Sequence, residues 1–307
     1  MAKYIPSDAQ IYALEAAYDM NLPLLITGEP GTGKTEMAEW ALAHLSQKYP
    51  NAFHPEVLRF VTKTVSKASD LFYTYDALSH FQEANLRRNS EVELKATEQF
   101  IRIEAFGQAI AYSDPSKMAF SEKFGLDLPA KPLHSVVLID EVDKAPRDFT
   151  NDLLDELLNY RFRIRELPGF EAKKGSEAKI VVILTSNSEK NLPDAFLRRC
   201  AFFHIRFPEG ELLRNIVQAH LAGRTTTTGE AFDRLLKFFE DAREKSVRKA
   251  PATAELIAWL EILGKRGYFE ENNIEKRRKM LEYNLSFLVK TKDDLEAIQD
   301  LLKNAAL

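Results

Sequence analysis

A chain of 307 residues with a single cysteine, Cys200, cannot close an internal disulfide. That excludes a stapled secreted scaffold and fits a reducing compartment. No stretch approaches the roughly 20 apolar residues needed to span a bilayer, and the opening MAKYIPSDAQ lacks the basic-then-apolar pattern of a signal peptide. The expected address is therefore cytoplasmic, with no membrane. Basic charge is not in excess: 42 Lys and Arg face 46 Asp and Glu, a formal net charge of -4. A globally basic nucleic-acid coat is excluded, whereas a local basic stripe is not. The six histidines show no metal-ligand spacing. Cys200 and His204 have the residue types of a ligand pair, but two ligands do not make a zinc site, and a thiol beside aromatics is more often core. No Ser/His/Asp constellation, no G-x-G-x-x-G dinucleotide fingerprint and no internal repeat is present.

What is there is an ordinary globular composition, 45% hydrophobic and 29% charged, long enough for about two domains at roughly 150 residues each. Ser7 to Met20 carries apolar residues at helical spacing behind a plausible Ser7 N-cap, and Asn21 and Pro23 end it. Leu22 to Thr27 reads as a short buried strand, followed by the glycine-rich Gly28 to Gly33 and a helix over Thr35 to Ser46. Further strands are expected at Glu56 to Thr62, Ser135 to Asp140 and Lys179 to Thr185. Continuous aliphatic runs separated by helices are what a parallel sheet covered on both faces requires. Thr150 to Asn159 reads as a helix burying Leu153, Leu154, Leu157 and Leu158, and Tyr160 to Arg165 alternates like a half-buried strand.

Roughly 70 residues separate the second and third strands, more than an ordinary crossover, so the mostly helix-compatible Ser79 to Ala111 belongs to an ordered insertion at about 63–130. Beyond Pro208 only helices are expected, at about 209–222, 230–246, 252–264 and 273–305. The expected domains are 1–208, α/β, and 209–307, helical.

Gly28-Glu29-Pro30-Gly31-Thr32-Gly33-Lys34-Thr35 satisfies G-x-x-x-x-G-K-[ST] between a strand and a helix, the context that marks a phosphate-binding loop. Its backbone N–H groups close around phosphates, Lys34 reaches the β and γ phosphates, and Thr35 ligates Mg²⁺. Val136-Val-Leu-Ile-Asp140-Glu141 ends a buried strand on two carboxylates. Asp140 suits the Mg²⁺ shell, and Glu141 suits a general base that polarises the attacking water.

These motifs resemble those of the AAA+ ATPases, and more narrowly the MoxR-type branch related to the dynein and McrB-like group. GEPGTGKT and LIDEVDKA look like its Walker A and Walker B segments, and TNDLLDELLN like the helix that follows. The resemblance spans about residues 1–265. It implies a P-loop core with a parallel sheet sandwiched by helices, a C-terminal all-α lid, and ATP with Mg²⁺ as cofactors. Gly28 through Thr35, with Glu36, would bind the nucleotide, and Thr35 and Asp140 the metal. Leu184-Thr-Ser-Asn187 is similar to the sensor 1 segment, which would make Asn187 the residue that orients water. Leu192-Pro-Asp-Ala-Phe-Leu-Arg198-Arg199 resembles the arginine-finger segment. It puts the finger on Arg199, with Arg198 in place of a commonly acidic residue.

A finger acts on a neighbouring subunit, so a homo-oligomeric ring is implied, a hexamer by family likeness. The same likeness implies a protein client, with a separately encoded von Willebrand A-domain protein as the partner type. Phe60 to Leu71 resembles the start of the family's helix-2 insert, and the stretch 160–179 resembles its pre-sensor-1 hairpin. Phe72, Tyr73 and Tyr75 are then candidate substrate-gripping aromatics, or the small core of the insertion itself. Arg161, Arg163 and Arg165 form either a face for nucleic acid or an acidic partner, or a solvated strand face. One departure stands out. Where the family carries a sensor 2 arginine, Pro251-Ala-Thr-Ala254-Glu-Leu has Ala254, so either Arg248 or Lys249 substitutes or the coupling of lid to nucleotide is weakened. The leading expectation is a Mg²⁺-dependent ATPase that remodels or activates a protein. A McrB-like nucleic-acid-directed motor and a nucleotide-gated assembly switch in a defence system are the alternatives.

Overall fold

The computed structural model describes residues 4–87, 96–116, 118–187 and 191–304, without the side chains of 86–87, 154–158 and 304. The chain opens with α1 (Asp8–Met20), capped as the sequence suggests: Ser7 accepts from the Gln10 amide, Gln10 answers the Ser7 amide, and Asn21 ends the helix in the left-handed conformation. Then come β1 (Leu24–Gly28), α2 (Lys34–Lys48) and β2 (Leu58–Val61), followed by the insertion. The insertion holds β3 (Tyr73–Tyr75), α3 (Ala77–Arg87), β4 (Ile101–Ile103), α4 (Ala105–Ser113) and α5 (Ala119–Phe124). β5 (Ser135–Asp140), α6 (Arg147–Asn159), β6 (Arg161–Arg163), β7 (Glu171–Lys173), β8 (Ile180–Ser186), α7 (Asp194–Leu197) and β9 (Ala201–Ile205) complete the α/β part.

Five parallel strands run in the order β2-β5-β8-β1-β9 with helices against them. Every residue of β1 and β8 is buried, as unbroken aliphatic runs demand in a sheet covered on both faces. β9 escapes the sequence reading because its edge position leaves Phe202 and His204 exposed and interrupts the aliphatic run.

The insertion is less helical than expected. Tyr73–Tyr75 pairs antiparallel with Ile101–Ile103, where Ile101 and Ile103 are buried and Arg102 is exposed. Three residues of alternation are too few to register against a helical background. Phe72 is 1% exposed, with its ring centroid 5.3 Å from that of Phe106 and 5.0 Å from that of Phe162. It is a core residue and not a gripping aromatic, and the partly buried Tyr73 and Tyr75 pack against the same cluster. Leu153 on α6 is buried as expected, whereas Leu154, Leu157 and Leu158 lie outside the described side chains.

The remaining helices are α8 (Gly210–Leu221), α9 (Glu230–Lys245), α10 (Thr253–Lys265), α11 (Ile274–Asn284) and α12 (Lys292–Asn304). They close on their own core of Phe232, Phe239, Trp259, Leu260 and Tyr268. By compactness the chain forms two units: Pro6–Gly28 with Lys34–Ile205, and the C-terminal helices from Arg206 together with Glu29–Gly33 and the first residues to Ile5. Among the described residues no helix is long and apolar enough to cross a membrane.

The long helix expected at 273–305 is two helices, because the chain turns at Leu285–Phe287 to bury Leu285 and Leu288. Thr291 then caps α12, its hydroxyl donating to Asp294 at 2.6 Å. The Asp294 carboxylate, fully buried, also accepts the amides of Val247 (2.7 Å), Arg248 (2.9 Å) and Lys249 (3.1 Å). Burial opposes its charge, yet the Thr291 hydroxyl and the three amides hold the group down at about 2. The folded state therefore binds this proton less tightly than the unfolded chain, so the stabilisation is present above the ordinary value of 3.8 and is lost as pH falls toward about 2. Asp294→Ala is expected to cost about 1–3 kcal/mol near neutral pH, a gap that narrows on acidification. Denaturant titrations of both proteins across that window check it.

Candidate active site

The loop after β1 turns on two glycines in the left-handed region, Gly31 (φ 78°) and Gly33 (φ 83°), where a side chain would be strained. Within it the Thr32 hydroxyl donates to the Glu29 carbonyl at 2.8 Å. Glu29, Pro30 and Gly31 are exposed and Thr32 is buried. Lys34 opens α2 and is buried, its ammonium donating back to the Gly28 carbonyl at 2.7 Å. Thr35 follows on the same helix turn, and Glu36 points to solvent.

The sheet register brings the other half of the site to Thr35. β5 and β8 pair with Ile139 beside Leu184, so the next residues, Asp140 and Thr185, emerge together at the carboxyl end of the strands, where open α/β sheets place their sites. The Thr35 hydroxyl lies 3.3 and 3.4 Å from the two Asp140 oxygens. The Thr185 hydroxyl donates to Asp140 Oδ1 and accepts the Glu141 amide at 2.9 Å. Glu141 sits in the left-handed region (φ 56°, ψ 49°), a conformation that costs a non-glycine residue about 1 kcal/mol and persists only where neighbours enforce it. Its carboxylate accepts from Lys144 Nζ at 2.5 Å and from Asn187 Nδ2 at 3.2 Å. The Asn187 amide in turn lies 3.4 Å from Asp143 Oδ1.

Thr35, Asp140, Glu141 and Asn187 are thus gathered in one place. Arg198 and Arg199 are not: both are exposed in the turn closing α7 over the buried Phe196, and among the described contacts neither reaches Asp140 or Glu141. Arg161, Arg163 and Arg165 alternate outward around the buried Phe162 and Ile164, bordering a groove of about 830 Å³, with Arg163 paired to Glu171 at 3.0 Å. Burial pushes the Cys200 thiol up to about 12. His204 Nδ1 shares a 2.9 Å hydrogen bond with Thr27. Among the described residues no group of three or more His, Cys, Asp or Glu is placed to hold a metal ion. A hydroxyl and a single carboxylate, the donors at Thr35 and Asp140, still suit Mg²⁺, which prefers hard oxygen ligands and keeps several waters.

Three participants escape the sequence reading. Thr185 lies in the quoted Leu-Thr-Ser-Asn segment, but its role comes from the register. Lys144 has a sequence signal, a cation three residues after Glu141, which acts only because Val142–Lys144 forms a tight turn. Arg243 is the third. Its guanidinium donates to Glu29 at 2.7 Å, whereas Arg248, one of the expected sensor 2 substitutes, turns to Asp293 at 2.5 Å and the Lys249 amide goes to Asp294.

With this geometry in view, residues 24–209, more than half of the chain, match the family described as "ATPase family associated with various cellular activities (AAA)". The chain belongs to that AAA family. Among solved structures it is similar to the FIGL-1 AAA domain in complex with ADP, at 14% identity and TM-score 0.46, covering 98% of this chain and 89% of that one. It is also similar to PCH-2 of C. elegans, at 16% identity and TM-score 0.42, covering 96% and 68%. No curated protein matches the sequence.

Thr185→Val removes the hydroxyl between Asp140 and Glu141 at nearly constant volume. It is expected to lower the unfolding free energy by about 1–3 kcal/mol, with Thr185→Ser recovering most of it. Equilibrium unfolding of the two variants checks this.

Proposed function

We propose that the protein is a Mg²⁺-dependent ATPase of the MoxR type, hydrolysing ATP at the subunit interfaces of a ring, a hexamer by family likeness, to remodel or activate a protein partner. A separately encoded von Willebrand A-domain protein is the partner type that this reading implies. The observation that carries it is the convergence of Thr35, Asp140, Glu141 and Asn187 at the end of β5 and β8. The backbone of Gly28 to Gly33 binds phosphate, with Lys34 as the point charge toward its β and γ groups. Thr35 and Asp140 would hold Mg²⁺, which neutralises developing phosphate charge when bound. Glu141 takes the proton of the attacking water on its carboxylate, and Asn187, already donating to that carboxylate, orients the water. Arg199, exposed and in no ion pair with the carboxylates of the described residues, would stabilise charge in a neighbour's site.

Two features favour the assembly-switch reading as runner-up: Ala254 stands at the sensor 2 position, and Lys144 pairs with the Glu141 carboxylate. Glu141→Gln is expected to bind ATP and hydrolyse it at least about 100-fold more slowly, and Lys34→Ala to weaken nucleotide binding. Unchanged turnover in the first would remove Glu141 as the base, and would leave the switch reading ahead. Nucleotide titration and phosphate release check both.

Mixing Arg199→Ala subunits with Glu141→Gln subunits is expected to restore part of the activity that each lacks, if the finger crosses an interface. A turnover assay over a range of mixing ratios reads this, and no rescue at any ratio counts against that geometry.

A further inference from the structure

Five residues of the phosphate-loop motif, Glu29–Gly33, belong to the same compact unit as the C-terminal helices, and within that unit two contacts join the loop to the helices. The first is at Gly31. A Cβ built there would come within 2.9 Å of the Ala252 Cβ and 3.7 Å of the amides of Thr253 and Ala254, so the loop backbone lies against the first turn of α10. The second is Arg243, in the last turn of α9. Its side chain is 15% exposed and does three things at once. It lies 3.3 Å above the centre of the Phe207 ring, donates one nitrogen to the Pro251 carbonyl, and donates another to Glu29 Oε2 at 2.7 Å.

Pro251 immediately precedes Ala252, the residue that meets Gly31. One guanidinium therefore fixes both the position of the α10 entry and the loop residue two places before Gly31. The segment from Val247 to Ala252 is held at its other end by the Asp294 carboxylate, so Arg243 pulls against a fixed support. Phe207 on one face and the bond to Pro251 restrict the guanidinium to one orientation, which lowers the entropy lost in pairing with Glu29.

We infer that Arg243 is a positioning residue that sets the phosphate loop from the C-terminal helices through the Glu29 carboxylate. The helices thereby govern nucleotide affinity without touching the nucleotide. The inference rests on the ATPase reading for its consequence, though the tie itself exists without ligand. Because Glu29 bears on the loop and not on a terminal phosphate, losing the tie weakens ATP and ADP binding by the same factor. A residue reading the γ-phosphate would weaken ATP binding alone.

The test uses the full chain as Arg243→Gln, Glu29→Gln, the double variant, and Arg248→Gln as a surface control. Amide hydrogen exchange of Glu29–Gly33 is measured without nucleotide, and affinity with ADP and with a non-hydrolysable ATP analogue. Each single variant is expected to speed loop exchange and raise both dissociation constants by about fivefold, with the control unchanged. The double variant should be no worse than the worse single, the signature of a shared interaction. Should Arg243→Gln fold poorly, Arg243→Lys and the exposed Glu29→Gln carry the same comparison. Unchanged loop exchange in the single variants, effects that simply add, or a loss confined to the ATP analogue would each overturn the inference. A wild-type chain that binds neither nucleotide would overturn the ATPase reading, while loop exchange would still decide the tie.

Discussion

The pairing of β5 with β8 is the constraint on which the site depends. Their register, Val136 beside Val181 through Ile139 beside Leu184, determines that Asp140 leaves the sheet next to Thr185 and that Asn187 follows within reach of Glu141. A shift of one residue would invert every side chain on the strand. It would take the Thr185 hydroxyl away from both acidic residues, leaving Asp140 Oδ1 and the Glu141 amide without that donor and acceptor. Nearly all of this register is enforced by aliphatic burial rather than by polar contacts. Val136, Val137, Leu138 and Ile139 face Val181, Val182, Ile183 and Leu184, none more than 6% exposed. The chemistry sits at the one end of the sheet where the apolar run stops.

How much of this was legible in the sequence follows from the range of each interaction. Strand β5 and the loop before Lys34 could be read residue by residue, because each is specified by local residue types: four aliphatics ending in Asp-Glu, and glycines where left-handed backbone is needed. The Ser7 N-cap was legible for the same reason, because its acceptor role spans three residues, whereas the answering Gln10 side chain was not read. What was not legible depends on chain segments far apart. Nothing within Ala201–Ile205 announces a strand, since its order comes from pairing with β1. The choice between a gripping aromatic and a core residue at Phe72 was not legible, because the rings that bury it, Phe106 and Phe162, lie 34 and 90 positions away in the chain, by subtraction of their residue numbers. Thr185 and Arg243 belong to this group too.

At the entry of α10 the cation that reaches the loop is one that the sequence did not single out. Ala254 leaves the first turn of α10 without a cation. The nearest basic residues in sequence, Arg248 and Lys249, lie in a segment whose backbone is committed to Asp294. The cation that meets the loop comes from the preceding helix, 11 residues before Ala254, the difference between 254 and 243, and its partner is a carboxylate. A small side chain at Ala252 is then favoured, because its Cβ lies against Gly31.

Two carboxylates show how the same group is assigned to structure or to chemistry. Asp294 is fully buried and accepts four hydrogen bonds, three from backbone amides, which saturates its oxygens and leaves no lone pair well placed for a reactant. Glu141 is held differently. Its side chain is 30% exposed, it has one donor on each oxygen, and its backbone sits in a left-handed conformation that folding would avoid without cause. A carboxylate oxygen carrying one donor keeps acceptor capacity for a water proton, and fixing both oxygens removes the rotational search that would slow that transfer.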